Sequence, residues 1–539
     1  MTGRAAVAAT ASGRRARAPL PLVGVAVVVA AAAVLPLAYL LARALGADAD
    51  ARALTPLDTT LELVGNTALL AAGVVVAALV VGVPLAWLVV RTDLPGRRMW
   101  GVAASLPLVI PSFVAALALL GALAPRGLVQ ELLSPLGVES LPELTGYWGA
   151  LLALTLSTYP YVFLLAAAGL RSVDPTSEEA ARGLGAGRVA VFARVTIPSI
   201  RPSLAAASLL VALYVLSDFG AVSLMGYSTL TTGIYVRYES LLALESAAIL
   251  ALVLVALAGV VVLLASRFRL RGVIYRATPG AGRPVQAVAL GHWRWPALAF
   301  CSLVSGIFLV LPLGVLVWWS VTADPITGRA SVAWEAALHS ATTAGAAAAI
   351  AVVVVLPAAV LAWRYPSYLS RLVERATLSP SALPGIALAL ALVFFGSRAG
   401  GLVYQSLALL VAAYVLRFMP YALASTRASL DSVSPRLEEA ARSLGRRPLG
   451  ATVSVVLPLA RSGILAGAAL VFLSTVKELP ATLLLRPIGF ETLATEIWEG
   501  TAIGAYSEVA PSALLLIAVA APLVYLLSWR NAWELGAPD

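Results

Sequence analysis

Five ionisable residues lie inside or beside long apolar runs of this chain, where a charge is costly and usually serves a function. Asp218 and Glu478 occupy matching positions 260 residues apart, Glu245 and Glu508 match at 263 residues, and Lys477 adjoins Glu478. Carboxylates arranged in this way could line a path for a cation across a membrane. They could also be structural, with Lys477 paired to a carboxylate and the others near the outer interface of the membrane. Both interpretations remain open at this point.

A polar segment with paired glutamates occurs twice, and its residues favour a protein contact. Residues 172–185 and 432–445 are identical at ten of fourteen positions. Each copy has a possible N-cap (Asp174 or Ser434), then proline, two glutamates, two alanines and a closing glycine, which predicts a short capped helix. Its small alanines would let another protein surface approach closely. The residues of the two predicted docking helices are Glu179, Ala180, Ala181, Gly185, Glu439, Ala440, Ala441 and Gly445.

The composition places the chain in a lipid bilayer. Of its 539 residues, 60% are hydrophobic and 12% are charged, and the mean hydropathy is +0.93. Its net charge of +10 comes from arginines between apolar runs, which membrane topology explains better than nucleic-acid binding. With one cysteine and two histidines, the chain offers no disulfide and no histidine-based metal centre. We expect no metal site and no cofactor bound by this chain.

Apolar runs of about 20 residues predict an all-α integral membrane protein with about twelve transmembrane helices in two parallel six-helix repeats. The spans are expected near residues 20–45, 63–90, 100–124, 147–170, 203–226 and 245–266, and near 296–320, 338–363, 376–397, 402–425, 463–485 and 508–529.

Basic residues indicate which side of the membrane each loop occupies. Arg91 follows the second predicted span, Arg267 the sixth and Arg364 the eighth, whereas Asp48 and Glu131 fall in the opposite loops. We therefore expect both termini and both repeated polar segments in the cytosol.

The repeat extends through most of the chain. Pro111 recurs as Pro384, 273 residues later, and Pro198 recurs as Pro458, 260 residues later, so the length differences fall in loops. We expect Pro111 and Pro384 to kink their spans. The predicted divisions are a first repeat at 1–270 with a polar loop at 171–199, a cytosolic linker at 271–292, and a second repeat at 293–539 with a loop at 431–459.

The repeated loop resembles the EAA loop of importer-type ABC permeases, which reads Glu-Ala-Ala, three residues, Gly, nine residues, then Ile-x-Leu-Pro. The first copy ends in Val195, Ile197 and Pro198, and the second ends in Val455, Leu457 and Pro458, so the departures are conservative. The resemblance implies a type I ABC importer fold in which each loop docks into a groove on an ATPase subunit. It implies two copies of a cytosolic ABC ATPase as partners.

The ATPase itself is expected on a separate subunit. A phosphate-binding Walker A loop needs a lysine directly after glycine. The only lysine here is Lys477, which follows Val476. We therefore expect ATP and Mg²⁺ in the partner subunit and no enzymatic activity in this chain. A membrane-embedded transferase or hydrolase is disfavoured, because no catalytic constellation is visible.

A second resemblance bears on the cargo. Residues 217–226 with 229–235, and residues 477–487 with 491–498, resemble the first-half and second-half signatures of ferric iron importer permeases. The likeness covers nearly the whole chain, including its two fused halves. It implies Fe³⁺ delivered by an extracytoplasmic binding protein to a permease in a prokaryotic cytoplasmic membrane. Alternatives are another small solute, such as thiamine, a polyamine or a phosphonate, and an ion-driven secondary carrier, which would leave the repeated loops unexplained.

Overall fold

The computed structural model describes residues 18–123, 127–137, 144–239, 243–269, 287–322, 330–399 and 403–533. The helices up to residue 269 are α1 (Leu20–Leu45), α2 (Ala49–Ala53), α3 (Leu57–Arg91), α4 (Arg97–Ser105), α5 (Ser112–Leu123), α6 (Leu128–Leu133), α7 (Gly146–Arg171), α8 (Pro175–Gly183), α9 (Arg188–Val191), α10 (Ile197–Ser217), α11 (Gly220–Leu224), α12 (Leu230–Glu239) and α13 (Leu244–Arg269).

The helices of the second part are α14 (Arg294–Ser305), α15 (Leu311–Thr322), α16 (Ala330–Arg364), α17 (Tyr368–Leu378), α18 (Gly385–Ala399), α19 (Leu407–Ser432), α20 (Pro435–Ser443), α21 (Pro448–Ala451), α22 (Leu457–Val476), α23 (Pro480–Leu485), α24 (Leu493–Ala502) and α25 (Tyr506–Trp533). Short 3₁₀ turns lie at Leu106–Val109, Ser134–Leu136, Gly291–Trp293 and Ser379–Ala382, and π-helical turns at Phe192–Thr196, Gly306–Val310 and Thr452–Val456.

The helices confirm the expected number of membrane spans. Eleven of those in the described residues are long and apolar enough to cross a bilayer. A bent pair, Tyr368–Ala382 and Gly385–Arg398, supplies a twelfth if it counts as one span. Lipid offers no hydrogen-bond partners to the backbone, so helices satisfy their polar groups internally. The all-α membrane fold predicted from the apolar runs is therefore correct.

Two predicted spans are interrupted by proline. In the third, α4 passes into the 3₁₀ turn Leu106–Val109, and α5 begins only after Pro111. In the ninth, the chain bends by 105° between Ala382 and Gly385, on either side of Pro384. Proline has no N–H to donate and disfavours helical geometry in the residue before it, and Ile110 before Pro111 is extended with ψ 114°. Both prolines therefore separate two helices, a larger effect than the kink expected from the sequence.

The predicted fifth and eleventh spans, 203–226 and 463–485, were wrong as continuous helices. Helix α10 ends at Ser217 and α22 ends at Val476, and the short helices α11 and α23 follow each break. The backbone at Asp218 is extended, with φ −72° and ψ 135°. Average hydropathy over a window responds to side-chain polarity and is insensitive to a backbone break, so the apolar runs alone did not reveal these ends.

The helices form two compact units, which group parts of both predicted repeats. Among the described residues, one unit contains those within 18–39, 341–383 and 391–475, and the other contains those within 40–340, 384–390 and 476–533. The repeat boundaries thus remain a prediction from the sequence, because spatial grouping and internal duplication are different properties.

Close helix packing in each unit depends on glycine. In the larger unit α3 packs against α7, and a Cβ placed on Gly82 would lie 2.8 Å from the Cβ of Val162. In the smaller unit, a Cβ placed on Gly463 would lie 2.3 Å from the Cβ of Ser429 on α19. Small residues at such crossings let membrane helices approach closely.

Candidate functional site: the repeated loops and the buried charges

The first repeated loop contains a helix with defined caps at both ends. Helix α8 begins with Pro175, and Oδ1 of Asp174 accepts a hydrogen bond from the N–H of Thr176 at 3.0 Å. At the other end Gly185 has φ +85°, a conformation that glycine adopts without strain. The N–H of Gly185 donates to the carbonyl of Arg182 at 2.9 Å, and that of Ala186 donates to Ala181 at 3.0 Å. These paired bonds are a Schellman motif, which ends the helix at this glycine.

The second loop repeats this geometry with one difference. Helix α20 begins with Pro435, and Gly445 has φ +86°. The N–H of Arg446 donates to the carbonyl of Ala441 at 3.2 Å, as in the first copy. Ser434 occupies the N-cap position but its side chain makes no capping hydrogen bond in the described structure, so the capping role expected for it was wrong.

The predicted docking residues lie mainly on the outside of these helices. Glu179, Ala180 and Gly185 are exposed, as are Glu439, Ala440 and Gly445. Ala181 is half-buried and Ala441 is buried. Pro198 is half-buried and Pro458 exposed, each as the second residue of the membrane helix that follows its loop.

One exposed leucine gives each loop an apolar tip. Leu184 is 89% exposed and Leu444 is 87% exposed, and each directly precedes the closing glycine of its loop. An isolated exposed leucine is common on protein surfaces. Here the same leucine is exposed in both copies, beside the exposed glutamate and alanine, which favours a protein partner for each loop.

The first glutamate of each pair is buried, unlike the second. Glu178 is 6% exposed and forms an ion pair with Arg91, the last residue of α3. Its Oε1 also accepts a hydrogen bond from Oγ1 of Thr196 at 2.7 Å. Nη2 of Arg182 lies 3.6 Å from Oε2 of Glu178. These contacts attach α8 to the ends of two membrane helices, because Thr196 directly precedes α10.

The second loop has an equivalent ion pair. Glu438 is 1% exposed, and its Oε2 lies 2.7 Å from Nε of Arg364, the last residue of α16. Arg364 follows Arg91 by 273 residues, the spacing of the repeated prolines, and Glu438 follows Glu178 by 260. Sequence reasoning used Arg91 and Arg364 only for topology. Their recurrence at repeat spacing was the signal that could have identified them as partners of the glutamates.

The end of the predicted linker is attached beside the first ion pair. The N–H of Val288 donates to the carbonyl of Arg91 at 2.8 Å, and the N–H of Leu290 donates to Oδ1 of Asp93 at 2.8 Å. Residues 270–286 lie outside the described ranges. The chain thus returns to the end of α3 before the second repeat begins.

Asp218 is buried at the break after α10 and caps the next helix. Its Oδ1 accepts a hydrogen bond from the N–H of Ala221 at 3.0 Å, and its Oδ2 accepts one from Ser112 at the start of α5. Its backbone carbonyl accepts a hydrogen bond from Thr231 at 2.7 Å. The carboxylate therefore accepts from a backbone N–H in the first turn of α11 and from a hydroxyl at the start of α5.

Glu478 and Lys477 occupy the equivalent break after α22. Oε1 of Glu478 accepts a hydrogen bond from the N–H of Ala481 at 3.1 Å, so this carboxylate also lies at the start of a short helix. Nζ of Lys477 donates to the carbonyl of Leu108 at 2.8 Å, in the 3₁₀ turn that precedes Pro111. The lysine thus contacts a backbone oxygen in the broken third span, whereas the structural interpretation from sequence expected a carboxylate.

Glu245 and Glu508 lie in the first turns of α13 and α25. Oε1 of Glu245 is 3.7 Å from Nη1 of Arg43, and both side chains are partly exposed. A carboxylate in the first turn of a helix is stabilised by the helix dipole. These positions agree with a placement at the ends of spans.

Two segments of the chain match a family of known proteins. The family described as binding-protein-dependent transport system inner membrane component matches residues 78–275 and again residues 355–533. The chain is 32% identical to the Fe(3+)-transport system permease protein FbpB 2 of Haemophilus influenzae over 471 residues, covering 86% of this chain and 89% of the relative.

Two further relatives cover different shares of the chain. The ferric transport system permease protein FbpB of Actinobacillus pleuropneumoniae is 23% identical over 489 residues, covering 87% of this chain and 71% of that protein. The molybdenum transport system permease protein ModB of Escherichia coli is 34% identical over 141 residues, covering 26% of this chain and 60% of that protein. The chain belongs to the family of inner membrane components of binding-protein-dependent transport systems, and it contains the family's domain twice.

Proposed function

We propose that this chain is the permease subunit of an ATP-driven importer of ferric iron, with both halves of the permease fused in one chain. The observation that carries the proposal is the repeated loop helix, which is anchored on one face by a buried glutamate and exposes a leucine, a glutamate and an alanine on the other. Two copies of the same exposed surface fit two copies of the same partner.

The partner we propose is a cytosolic ABC ATPase subunit, one copy under each loop. Leu184 and Leu444 would insert into a groove of the ATPase, and Glu179 and Glu439 would lie at its rim. Apolar side chains at the centre of a contact and charges at its edge are the common arrangement of protein interfaces. Hydrolysis of ATP then occurs in the partner, and both loops and both termini of this chain face the cytosol.

The cargo we propose is Fe³⁺, delivered by an extracytoplasmic binding protein. Support comes from the two relatives named for ferric iron, which align with more than four fifths of this chain, whereas the molybdenum relative aligns with about a quarter of it. Alignments of this length span both halves of the chain, so the ferric relatives match the whole permease and not one half of it. Molybdate is the natural control cargo.

For the buried carboxylates we propose a structural role at the broken spans. Both oxygens of Asp218 accept hydrogen bonds, from the N–H of Ala221 and from Ser112, and Oε1 of Glu478 accepts one from the N–H of Ala481. A carboxylate that caps a helix has fewer lone pairs left for a passing cation. The cation path considered from the sequence is the alternative, and a substitution that removes only the charge distinguishes the two.

The test of the proposed function is ATPase activity in proteoliposomes that contain this chain, its ATPase partner and an iron-binding protein. We expect stimulation by the Fe³⁺-loaded binding protein and its loss in the double variant Glu179→Ala/Glu439→Ala. A molybdate-loaded binding protein serves as the cargo control. Assembly with the ATPase but no response to iron would reject iron as cargo. Iron uptake that continues without the ATPase and stops with an uncoupler would reject the importer and favour an ion-driven carrier.

A further inference from the structure

The two loops are anchored by different numbers of side-chain donors. In the first, Glu178 joins the end of α3 to the start of α10, because it pairs with Arg91 and accepts a hydrogen bond from Thr196. All three side chains are buried, with 6%, 3% and 3% exposure for Glu178, Arg91 and Thr196. A hydrogen bond to a buried carboxylate is stronger than one between neutral groups.

The second loop has no hydroxyl at the position equivalent to Thr196. The residue equivalent to Thr196, 260 positions later, is Val456. Both residues end a π-helical turn, Phe192–Thr196 in one copy and Thr452–Val456 in the other, and Val456 is fully buried. Glu438 has its ion pair with Arg364 on α16, but the valine gives it no donor from the start of α22. Threonine and valine have nearly the same shape, so the copies differ here by one hydrogen bond.

We propose that Thr196 is a positioning residue that makes the first loop a stiffer mechanical connection than the second. When an ATPase subunit moves α8, Glu178 transmits the displacement to α3 through Arg91 and to α10 through Thr196. Movement of α20 reaches α16 through the ion pair and reaches α22 along the backbone. Two identical ATPase subunits would therefore drive the two halves unequally. This inference rests on the proposed docking of the ATPase.

Three isosteric or near-isosteric variants test it. Thr196→Val converts the first anchor to the form of the second, Thr196→Ser retains the hydroxyl, and Val456→Thr adds a hydroxyl to the second anchor. Hydrogen exchange on the purified full chain should be faster in α8 after Thr196→Val by about tenfold, the factor for loss of one such bond. Exchange in α20 should be unchanged by that substitution, and Thr196→Ser should restore slow exchange in α8.

The functional readout is the number of iron ions transported per ATP hydrolysed in proteoliposomes. We expect Thr196→Val to lower this ratio, with restoration by Thr196→Ser and no decrease in Val456→Thr. Unchanged exchange in α8 would overturn the anchor, and faster exchange with an unchanged ratio would overturn its role in transmission. Either of these two outcomes can occur while uptake by the wild-type chain still requires the ATPase and iron. Failure of this inference is therefore distinguishable from failure of the proposed function.

Discussion

Adjacent glutamates in each repeated loop have opposite environments. Successive residues of an α-helix point about 100° apart, so Glu178 can face the membrane helices while Glu179 faces outward. The buried member pairs with the arginine that ends a membrane helix, and the exposed member keeps its charge available on the surface. The same division holds for Glu438 and Glu439. One residue of each pair thus holds the loop in place, and the other is free to meet a partner.

Neutralising the buried glutamate should destabilise the chain, whereas neutralising its neighbour should not. Glu178→Gln leaves Arg91 charged, buried and without its counter-ion, a change that costs about 3–5 kcal/mol. Glu179→Gln changes an exposed carboxylate and should cost less than about 0.5 kcal/mol. Unfolding in detergent measures the first effect, and capture of the ATPase subunit measures the loss of docking expected for the second. Equal stability of the two variants would contradict the anchor.

Removing the buried charges at the broken spans tests their structural role. Asparagine caps helices about as well as aspartate, so Asp218→Asn retains the cap on α11 and removes only the charge. We expect the double variant Asp218→Asn/Glu478→Gln to retain iron uptake within about twofold, measured at equal membrane expression. Asp218→Leu, which cannot cap, is the matched control and should fail to fold. Loss of uptake in the folded double variant would instead support the cation path.

At the scale of helices, the sequence predicted where spans lie better than where they break. Apolar length located α7 and α13 within three residues of their ends. The breaks at Asp218 and at Lys477–Glu478 were hidden, because a few charges barely change the average of a long apolar window. The signal was present in those same charges, since Asp218 directly follows the last residue of α10 and Lys477 directly follows the last residue of α22. The ion pairs that hold the two loops join Arg91 to Glu178 and Arg364 to Glu438, which are 87 and 74 positions apart along the chain. Pairing between residues so far apart depends on the fold.

Replacing the glycine at the crossing of α3 and α7 should destabilise the chain, whereas replacing a glycine elsewhere on α3 should not. A Cβ on Gly82 would lie 2.9 Å from Cγ1 of Val162 and 3.0 Å from the backbone nitrogen of Phe163, so Gly82→Ala forces α3 away from α7. We expect a loss of about 1–3 kcal/mol. Gly65 on α3 has no atom within 4 Å of such a Cβ. Gly65→Ala should therefore be neutral or stabilising in the same thermal unfolding assay, and equal losses in both variants would refute the crossing as the cause.

At the scale of the whole molecule, a single cysteine allows the orientation to be measured. Cys301 is fully buried, so a Cys301→Ala background should fold and should not react with a maleimide. Ser177 and Ser443 lie exposed on the two loop helices, and Ile488, between α23 and α24, is 89% exposed. These three positions report both predicted sides of the membrane.

A membrane-impermeant maleimide should label Ile488→Cys in intact spheroplasts and should not label Ser177→Cys or Ser443→Cys. Inverted vesicles should give the opposite pattern, because the loops are proposed to face the cytosol. The unlabelled Cys301→Ala chain is the blank for both preparations. Labelling of one loop from each side would contradict the parallel arrangement of the two repeats.

The exposed leucines have a consequence for how the cell must produce this protein. In the proposed assembly the ATPase covers Leu184 and Leu444, which are 89% and 87% exposed in the chain alone. Quality-control proteases and chaperones recognise apolar side chains of this kind, so chains made in excess of their partner should be short-lived. Steady-state abundance should then follow the supply of the ATPase subunit, of which we propose two copies per chain. Balanced synthesis of the subunits would be enforced by turnover of the orphan as much as by matched expression.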